Sequence, residues 1–146
     1  MIPALATATR IACLRLNSQH ITTIENAVEL GAQAPRSPGW EQKAAAHAEI
    51  FSFLAEAVDD PAVAGVLRMG TGIVRDLAIT TGPAADRIII NSRRRLLARL
   101  RAGDADAAEH EMERHLSCLH FMWRLAGRPR VRTAIDDRLD RGATVP

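Results

Sequence analysis

Apolar residues recur every three or four positions along most of this chain, and a few breaks divide that pattern into segments. The spacing predicts helices over about 3–16, 19–30, 40–58, 61–80, 84–102 and 104–126, with a short seventh helix over about 131–140. No segment alternates apolar and polar residues as a half-buried strand does. We therefore predict an all-α fold, a compact antiparallel bundle of six to seven helices in one domain spanning residues 1–146.

Breaking and capping residues set the expected helix limits. Ser18 is a plausible N-cap for the second helix, and Gly31 is expected to end it. Pro61 is well suited to the first position of the fourth helix. Gly103 is expected to end the fifth helix and Asp104 to cap the sixth, so these two helices should form a tight hairpin.

The composition supports helices and excludes several classes of protein. Hydrophobic residues make up 47% of the chain but aromatic residues only 3%, which disfavours a sheet. The net charge of +2 is too small to indicate a nucleic-acid surface by itself. Two cysteines, Cys13 and Cys118, form no disulfide framework and suit a reducing compartment. With no signal peptide and no membrane-length apolar run, we expect a cytoplasmic protein.

Four polar residues fall on the predicted inward faces of three helices. His47 precedes Phe51 by four positions and Lys43 precedes His47 by four, so both belong to the apolar stripe of the third helix. Arg93 and His115 fall on the inward faces of the fifth and sixth helices. A buried charge needs a partner or a ligand, and the four residues are therefore a candidate pocket.

Simpler interpretations of the same residues remain open. A histidine on an apolar face is often a hydrogen-bonded core residue, and Lys43 is near enough to a helix end to reach solvent. Arg93 belongs to a run of three arginines, which usually marks a solvated face. His110 and His120 lie five positions either side of His115, so they cannot share its face and should be on the surface.

The order of these features resembles the FCD domain, the effector-binding half of many GntR-type bacterial transcription regulators of the FadR subfamily. The resemblance covers nearly the whole chain and rests on Ala4-Leu5-Ala6-Thr7-Ala8-Thr9-Arg10, Ile21-Thr22-Thr23-Ile24, His47, Val58-Asp59-Asp60-Pro61, Gly103-Asp104 and His115-Leu116. It implies a dimerising regulatory domain without catalytic activity. GntR regulators bind DNA through an N-terminal winged helix-turn-helix, and this sequence contains no such segment. We therefore expect an effector domain with a truncated first helix, which does not bind DNA alone.

In many FCD domains an Asp and three His residues bind a divalent metal at the floor of the effector pocket. The resemblance places Lys43 at the Asp position and Arg93 at that of the middle His, and neither cation can coordinate a metal. We therefore predict no metal and no cofactor. Lys43 and Arg93 are expected to supply positive charge directly to a small carboxylate or acyl effector, with His47 and His115 as further donors.

Two other functions remain open from the sequence. The first is a divalent-metal-binding helical protein that uses His47, His115 and a nearby carboxylate, of which Glu111 is the candidate. The second is a helical interaction module whose core contains two histidines and no cavity. The effector, the operator, the direction of regulation and the dimer surface cannot be identified from the sequence.

Overall fold

The computed structural model describes residues 1–126, which are helical almost throughout. Six α-helices follow one another: α1 Ile2–Cys13, α2 Ser18–Gln33, α3 Trp40–Glu56, α4 Pro61–Thr81, α5 Asp86–Arg101 and α6 Ala105–Ala126. A single 3-10 turn, Pro83–Ala85, leads into α5. This part of the chain contains no strand, so the predicted all-α bundle is confirmed. The seventh helix predicted over about 131–140 lies outside the described residues.

The helices pack in a closed arrangement around a common interior. α3 packs against α2 and α4, α1 against α4 and α6, and α5 against α6 and α2. Large apolar side chains from all six helices are fully buried between them, including Leu5, Ile24, Phe51, Leu54, Leu67, Ile89, Met112 and Leu119. Because burying each such side chain stabilises the fold by roughly 1.5–3 kcal/mol, this core holds α3, α5 and α6 firmly around the polar residues described below.

Local capping explains most of the helix limits. Asn17, not the predicted Ser18, caps α2: its Oδ1 accepts from the His20 amide at 2.8 Å, while His20 Nδ1 accepts from the Asn17 amide at 3.1 Å. Asp104 caps α6 as predicted, since its Oδ1 accepts from the Ala107 amide at 3.0 Å. The preceding residue, Gly103, has a φ of +66°, which glycine adopts readily and other residues rarely do.

Two glycines allow helices to approach closely. The prediction that α2 ends at Gly31 is wrong, because the helix continues to Gln33. Gly31 instead faces the His47 ring of α3, and a Cβ atom there would lie 3.0 Å from His47 Nδ1. Gly70 of α4 packs against α1 and α3, where a Cβ atom would lie 2.6 Å from the Leu5 side chain. Both glycines therefore serve tertiary packing, which a local stop signal cannot reveal.

The other helix limits differ from the predicted ones by a few residues. α1 ends at Cys13 and not near residue 16, and Leu14 beyond it is 67% exposed. The fifth helix begins at Asp86, because the 3-10 turn takes up the residues before it. Among residues 1–126, no helix is both long enough and apolar enough to cross a lipid bilayer.

Candidate functional site

Asp86 and Lys43 form an ion pair in the interior of the bundle. Asp86 is the first residue of α5, where a carboxylate also interacts favourably with the helix dipole. Lys43 Nζ lies 3.1 Å from Asp86 Oδ2 and donates to the backbone oxygen of Ala32 in α2 at 3.1 Å. Lys43 is only 3% exposed, so it does not extend to solvent. One carboxylate thus links the start of α5 to α3.

His47 is hydrogen-bonded to the other oxygen of the Asp86 carboxylate. Its Nε2 lies 2.8 Å from Asp86 Oδ1, and the side chain is almost wholly buried. Burial lowers the pKa of His47, and the nearby Arg93 and Lys43 lower it further, against the opposing effect of Asp86. The ring is therefore neutral at pH 7, and its Nε2–H donates to Asp86.

Arg93 of α5 crosses the interior and is the least satisfied charge there. Its Nε donates to the backbone oxygen of His47 at 3.1 Å, and its guanidinium carbon lies 5.6 Å from the centre of the Phe51 ring. Both terminal nitrogens are buried and have no hydrogen-bond partner among residues 1–126. Complete burial lowers the pKa of Arg93 to about 10, so the side chain still carries its charge at pH 7.

His115 of α6 is the second unsatisfied group. Its two ring nitrogens are buried, and neither has a hydrogen-bond partner in the described part of the chain. Burial lowers the pKa of His115 well below the ordinary value, and the charge of Arg93 and the proximity of His47 lower it further. At pH 7 the ring is therefore neutral, with one N–H available as a donor and one nitrogen as an acceptor.

Five residues, Lys43, His47, Asp86, Arg93 and His115, are here called the polar cluster. All of them except His115 line one of two cavities. The inner cavity, of about 10 Å³, lies beside His47 and Arg93 between α2, α3 and α5. The outer cleft, of about 320 Å³, has Lys43 and Asp86 among its lining residues. The two cations and one carboxylate of the cluster leave an excess of one positive charge.

Comparison with known protein families identifies the family of the domain. The family model of the FCD domain matches residues 6–117, most of the chain. The chain belongs to the FCD domain family. FCD domains are the regulatory, effector-binding domains of GntR-family regulators. Neither the curated proteins nor the solved structures compared with the chain give a match.

The residues of this FCD domain do not fit the divalent metal found in many of its relatives. Lys43 and Arg93 have no lone pair to offer a cation, and their charges repel one. Within residues 1–126, no three His, Cys, Asp or Glu side chains are grouped so that they could hold a metal ion. The two buried histidines, His47 and His115, are too few to hold a metal ion by themselves.

Glu111, the carboxylate named as a possible metal ligand, is already engaged elsewhere. Its Oε1 accepts from Ser92 Oγ at 3.1 Å and from Arg95 Nε at 2.9 Å, and its Oε2 accepts from Arg114 at 3.0 Å. Glu111 is on the inward side of α6, one turn before His115, but it belongs to a separate, satisfied cluster.

Sequence reasoning identified Lys43, His47, Arg93 and His115, all of which are buried, but it missed Asp86. The signal was present: Asp86 lies seven positions before Arg93 and three before Ile89, on one face of α5. His110 and His120, predicted to lie on the surface, are indeed exposed.

Proposed function

We propose that this FCD domain senses a small carboxylate effector within a GntR-type regulator of the FadR subfamily. The carboxylate binds at Arg93, with Lys43, His47 and His115 as the other effector-binding residues. In this proposal the domain forms a homodimer, acts without catalysis, and controls DNA binding by the winged helix-turn-helix domain of the regulator.

The observation that carries the proposal is that both terminal nitrogens of the Arg93 guanidinium lack a hydrogen-bond partner among residues 1–126. A buried cation with unmet hydrogen bonds is unfavourable unless something compensates it, and arginine matches a carboxylate with two parallel hydrogen bonds. Because the polar cluster has one positive charge in excess, a single carboxylate would neutralise it. His115 also lacks hydrogen-bond partners, and a ligand bound at Arg93 would accept a hydrogen bond from its ring N–H.

The size of the inner cavity favours a small effector over a long acyl chain. At about 10 Å³ the cavity is comparable with the space that one water molecule needs. Near Arg93, the space beside Gly70 of α4 is already filled by the Leu5 and Phe51 side chains. A carboxylate must therefore separate α3 from α5 or α6 to reach Arg93, so binding is coupled to a change in helix packing. Such a change is what a regulatory domain can transmit.

A thermal-shift screen of small carboxylates against the wild type, Arg93→Met and Arg99→Met tests the proposal. Arg99 is the matched control, because it is exposed on the same helix. A ligand at tenfold its Kd should stabilise the wild type by about 1.4 kcal/mol, a shift in Tm of roughly 4 °C. The same shift should occur in Arg99→Met and disappear in Arg93→Met. A shift that persists in Arg93→Met would contradict the proposal.

The screen also includes acyl-CoA, Zn²⁺ and Ni²⁺, with protein that carries no histidine tag. The metal-binding alternative, with His47, His115 and Glu111 as ligands, gains no support from the geometry described above. It predicts stoichiometric metal binding that is unchanged or stronger in Arg93→Met, since that variant removes a repelling charge. Stabilisation by metal with no response to any carboxylate would therefore favour the alternative and exclude our proposal.

A further inference from the structure

The outer cleft beside the polar cluster is lined mainly by polar side chains of α3, α5 and the loop between α2 and α3. Lys43 and Asp86 contribute its buried lining, and Arg36, Arg87, Asn91 and Arg94 line it nearer the surface. Its volume of about 320 Å³ is at the lower end of the range for small-molecule sites and is large enough for a carboxylate or a phosphate group.

The lining of the cleft is strongly cationic. Arg36 Nε is 3.8 Å from Asp86 Oδ2, so it shares that carboxylate with Lys43. Arg94 pairs at 3.5 Å with Glu29, an exposed residue of α2, and Arg87 makes no ion pair with any carboxylate of residues 1–126. Four cationic side chains thus face two carboxylates. The two positive charges in excess equal the net charge of the whole chain, which shows how unevenly that charge is distributed.

Asp86 stands between the outer cleft and the interior. Its Oδ2 faces Lys43 and Arg36 of the cleft, while its Oδ1 bonds to His47, which lines the inner cavity beside Arg93. A chain of polar contacts therefore leads from the surface arginines to the unpartnered guanidinium. A ligand that enters along α3 and α5 passes two separate groups of cations.

We propose that the outer cleft binds a second anionic group, so that the effector of this domain carries two anionic groups. The inference rests on the proposed function for the first group, a carboxylate at Arg93. The second group, a carboxylate or a phosphate, lies among Arg36, Arg87 and Arg94, with the Asn91 amide as a neutral donor. Arginine suits either group, because its planar fork of donors matches both.

The cleft is tested directly with inorganic phosphate, by following backbone amide signals in NMR at about 0.15 M salt, where distant surface charges are screened. The wild type is compared with the Arg36→Gln/Arg87→Gln double variant and with Arg75→Gln, a control at an exposed arginine of α4 outside the cleft. We expect saturable shifts at Ala32, Asn91 and their neighbours, and a Kd about tenfold higher in the double variant only.

A second arm uses matched pairs of ligands that differ by one anionic group: butyrate and glutarate, and glycerate and 3-phosphoglycerate. In the wild type, at least one of the two ligands with a second anionic group should bind about tenfold more tightly than its partner, and that advantage should vanish in the double variant. The two pairs distinguish a carboxylate from a phosphate as the second group. Arg93→Met should weaken the binding of butyrate and glycerate but leave the binding of inorganic phosphate in the cleft unchanged.

Non-saturating phosphate shifts, an unchanged Kd in the double variant, or equal affinity for both members of each pair would overturn the inference. Failure of the proposed function appears differently, as an affinity for the monoanions that is unchanged in Arg93→Met. The two sets of variants therefore report separately on the cleft and on the interior.

Discussion

Two buried polar groups lie one helical turn apart on the inward side of α6, and their hydrogen bonding differs completely. Glu111 accepts hydrogen bonds from Ser92, Arg95 and Arg114, so both of its oxygens are satisfied. His115, four residues later, has no partner for either ring nitrogen among residues 1–126, and the facing Arg93 has none for its terminal nitrogens. α5 and α6 therefore hold one cluster whose polar atoms all have hydrogen-bond partners and one cluster in which several do not.

The difference separates a structural role from a binding role. A satisfied buried carboxylate contributes to stability by holding α5 to α6, whereas an unpartnered guanidinium lowers stability until an anion reaches it. The Glu111 carboxylate and the Arg93 guanidinium are both buried, so burial alone cannot distinguish their roles. The number of unmet hydrogen bonds does distinguish them, and it indicates where a ligand belongs.

Asp86→Ala should lower the free energy of unfolding more than any other change proposed here, because it removes the carboxylate that pairs with Lys43 and His47. Lys43 and His47 would both lose the carboxylate they share, and an isolated buried cation costs about 3–5 kcal/mol. The free energy of unfolding is measured by urea denaturation. Asp76→Ala is the control, since Asp76 is exposed on α4. A loss of less than about 1 kcal/mol in Asp86→Ala would show that the ion pair is not structural.

Mild acid should destabilise the domain through His47 and His115. Both have a lowered pKa in the folded state. Below about pH 6.5 the unfolded chain therefore binds more protons than the folded chain, and the free energy of unfolding decreases as the pH decreases. The groups facing His47 are Asp86, Arg93 and Lys43, and those facing His115 are Arg93, His47 and Arg95. Each histidine can contribute up to about 1.4 kcal/mol per pH unit, and His115 should contribute more.

The pH effect is measured as the free energy of unfolding between pH 7.5 and about pH 5.5, a window above the range in which unperturbed carboxylates titrate. His115→Leu should flatten the dependence, whereas His110→Leu, at an exposed position of the same helix, should leave it unchanged. A dependence as steep in His115→Leu as in the wild type would show that His115 is not the buried neutral group described here.

Glu111→Gln tests the satisfied cluster. The amide keeps the shape of the carboxylate but loses one acceptor and the charge, so we expect a loss of about 1–2 kcal/mol in the free energy of unfolding. The loss stays small because Arg95 and Arg114 are about half exposed and can turn to water. The exposed Glu113→Gln is the control. An unchanged stability would contradict the structural role of Glu111.

The smallest effect concerns the glycine that faces His47. In an open helical position such as Gly72, replacement by alanine should stabilise the domain by about 1 kcal/mol, since its new Cβ meets nothing within 4 Å. Gly31→Ala should gain less or lose, because its Cβ lies 3.0 Å from the ring of His47, which Asp86 holds in place. Equal gains for the two variants in urea denaturation would show that His47 moves freely.

The sequence predicted most of the fold because its signals were local. Helical spacing, Pro61 and the Gly103–Asp104 turn set the number and order of helices, and their limits followed within a few residues. Gly31 misled that reasoning, because its role is a contact with a helix that begins nine residues later. Helical phase correctly predicted that four polar residues point inward. It could not predict the pairing of Asp86 with Lys43 and His47, because that pairing depends on how α3 faces α5.

The unmet hydrogen bonds of Arg93 and His115 could not be predicted in this way. Phase shows that a side chain points inward, but it does not show what it meets there. Arg93 and Arg95 occupy the same run of three arginines, yet Arg95 reaches Glu111 while Arg93 reaches only a backbone oxygen and an aromatic ring. Only the three-dimensional arrangement separates the two.

The most direct test of this account is the free energy of unfolding of Arg93→Met relative to the wild type, in buffer without carboxylates or phosphate. Burial lowers the pKa of Arg93 to about 10, which corresponds to a cost of up to about 3 kcal/mol for keeping the charge. Methionine fills similar space without a charge, so the account predicts that the variant is as stable as the wild type or more stable. A loss of more than about 2 kcal/mol, as expected for breaking a satisfied buried ion, would contradict it.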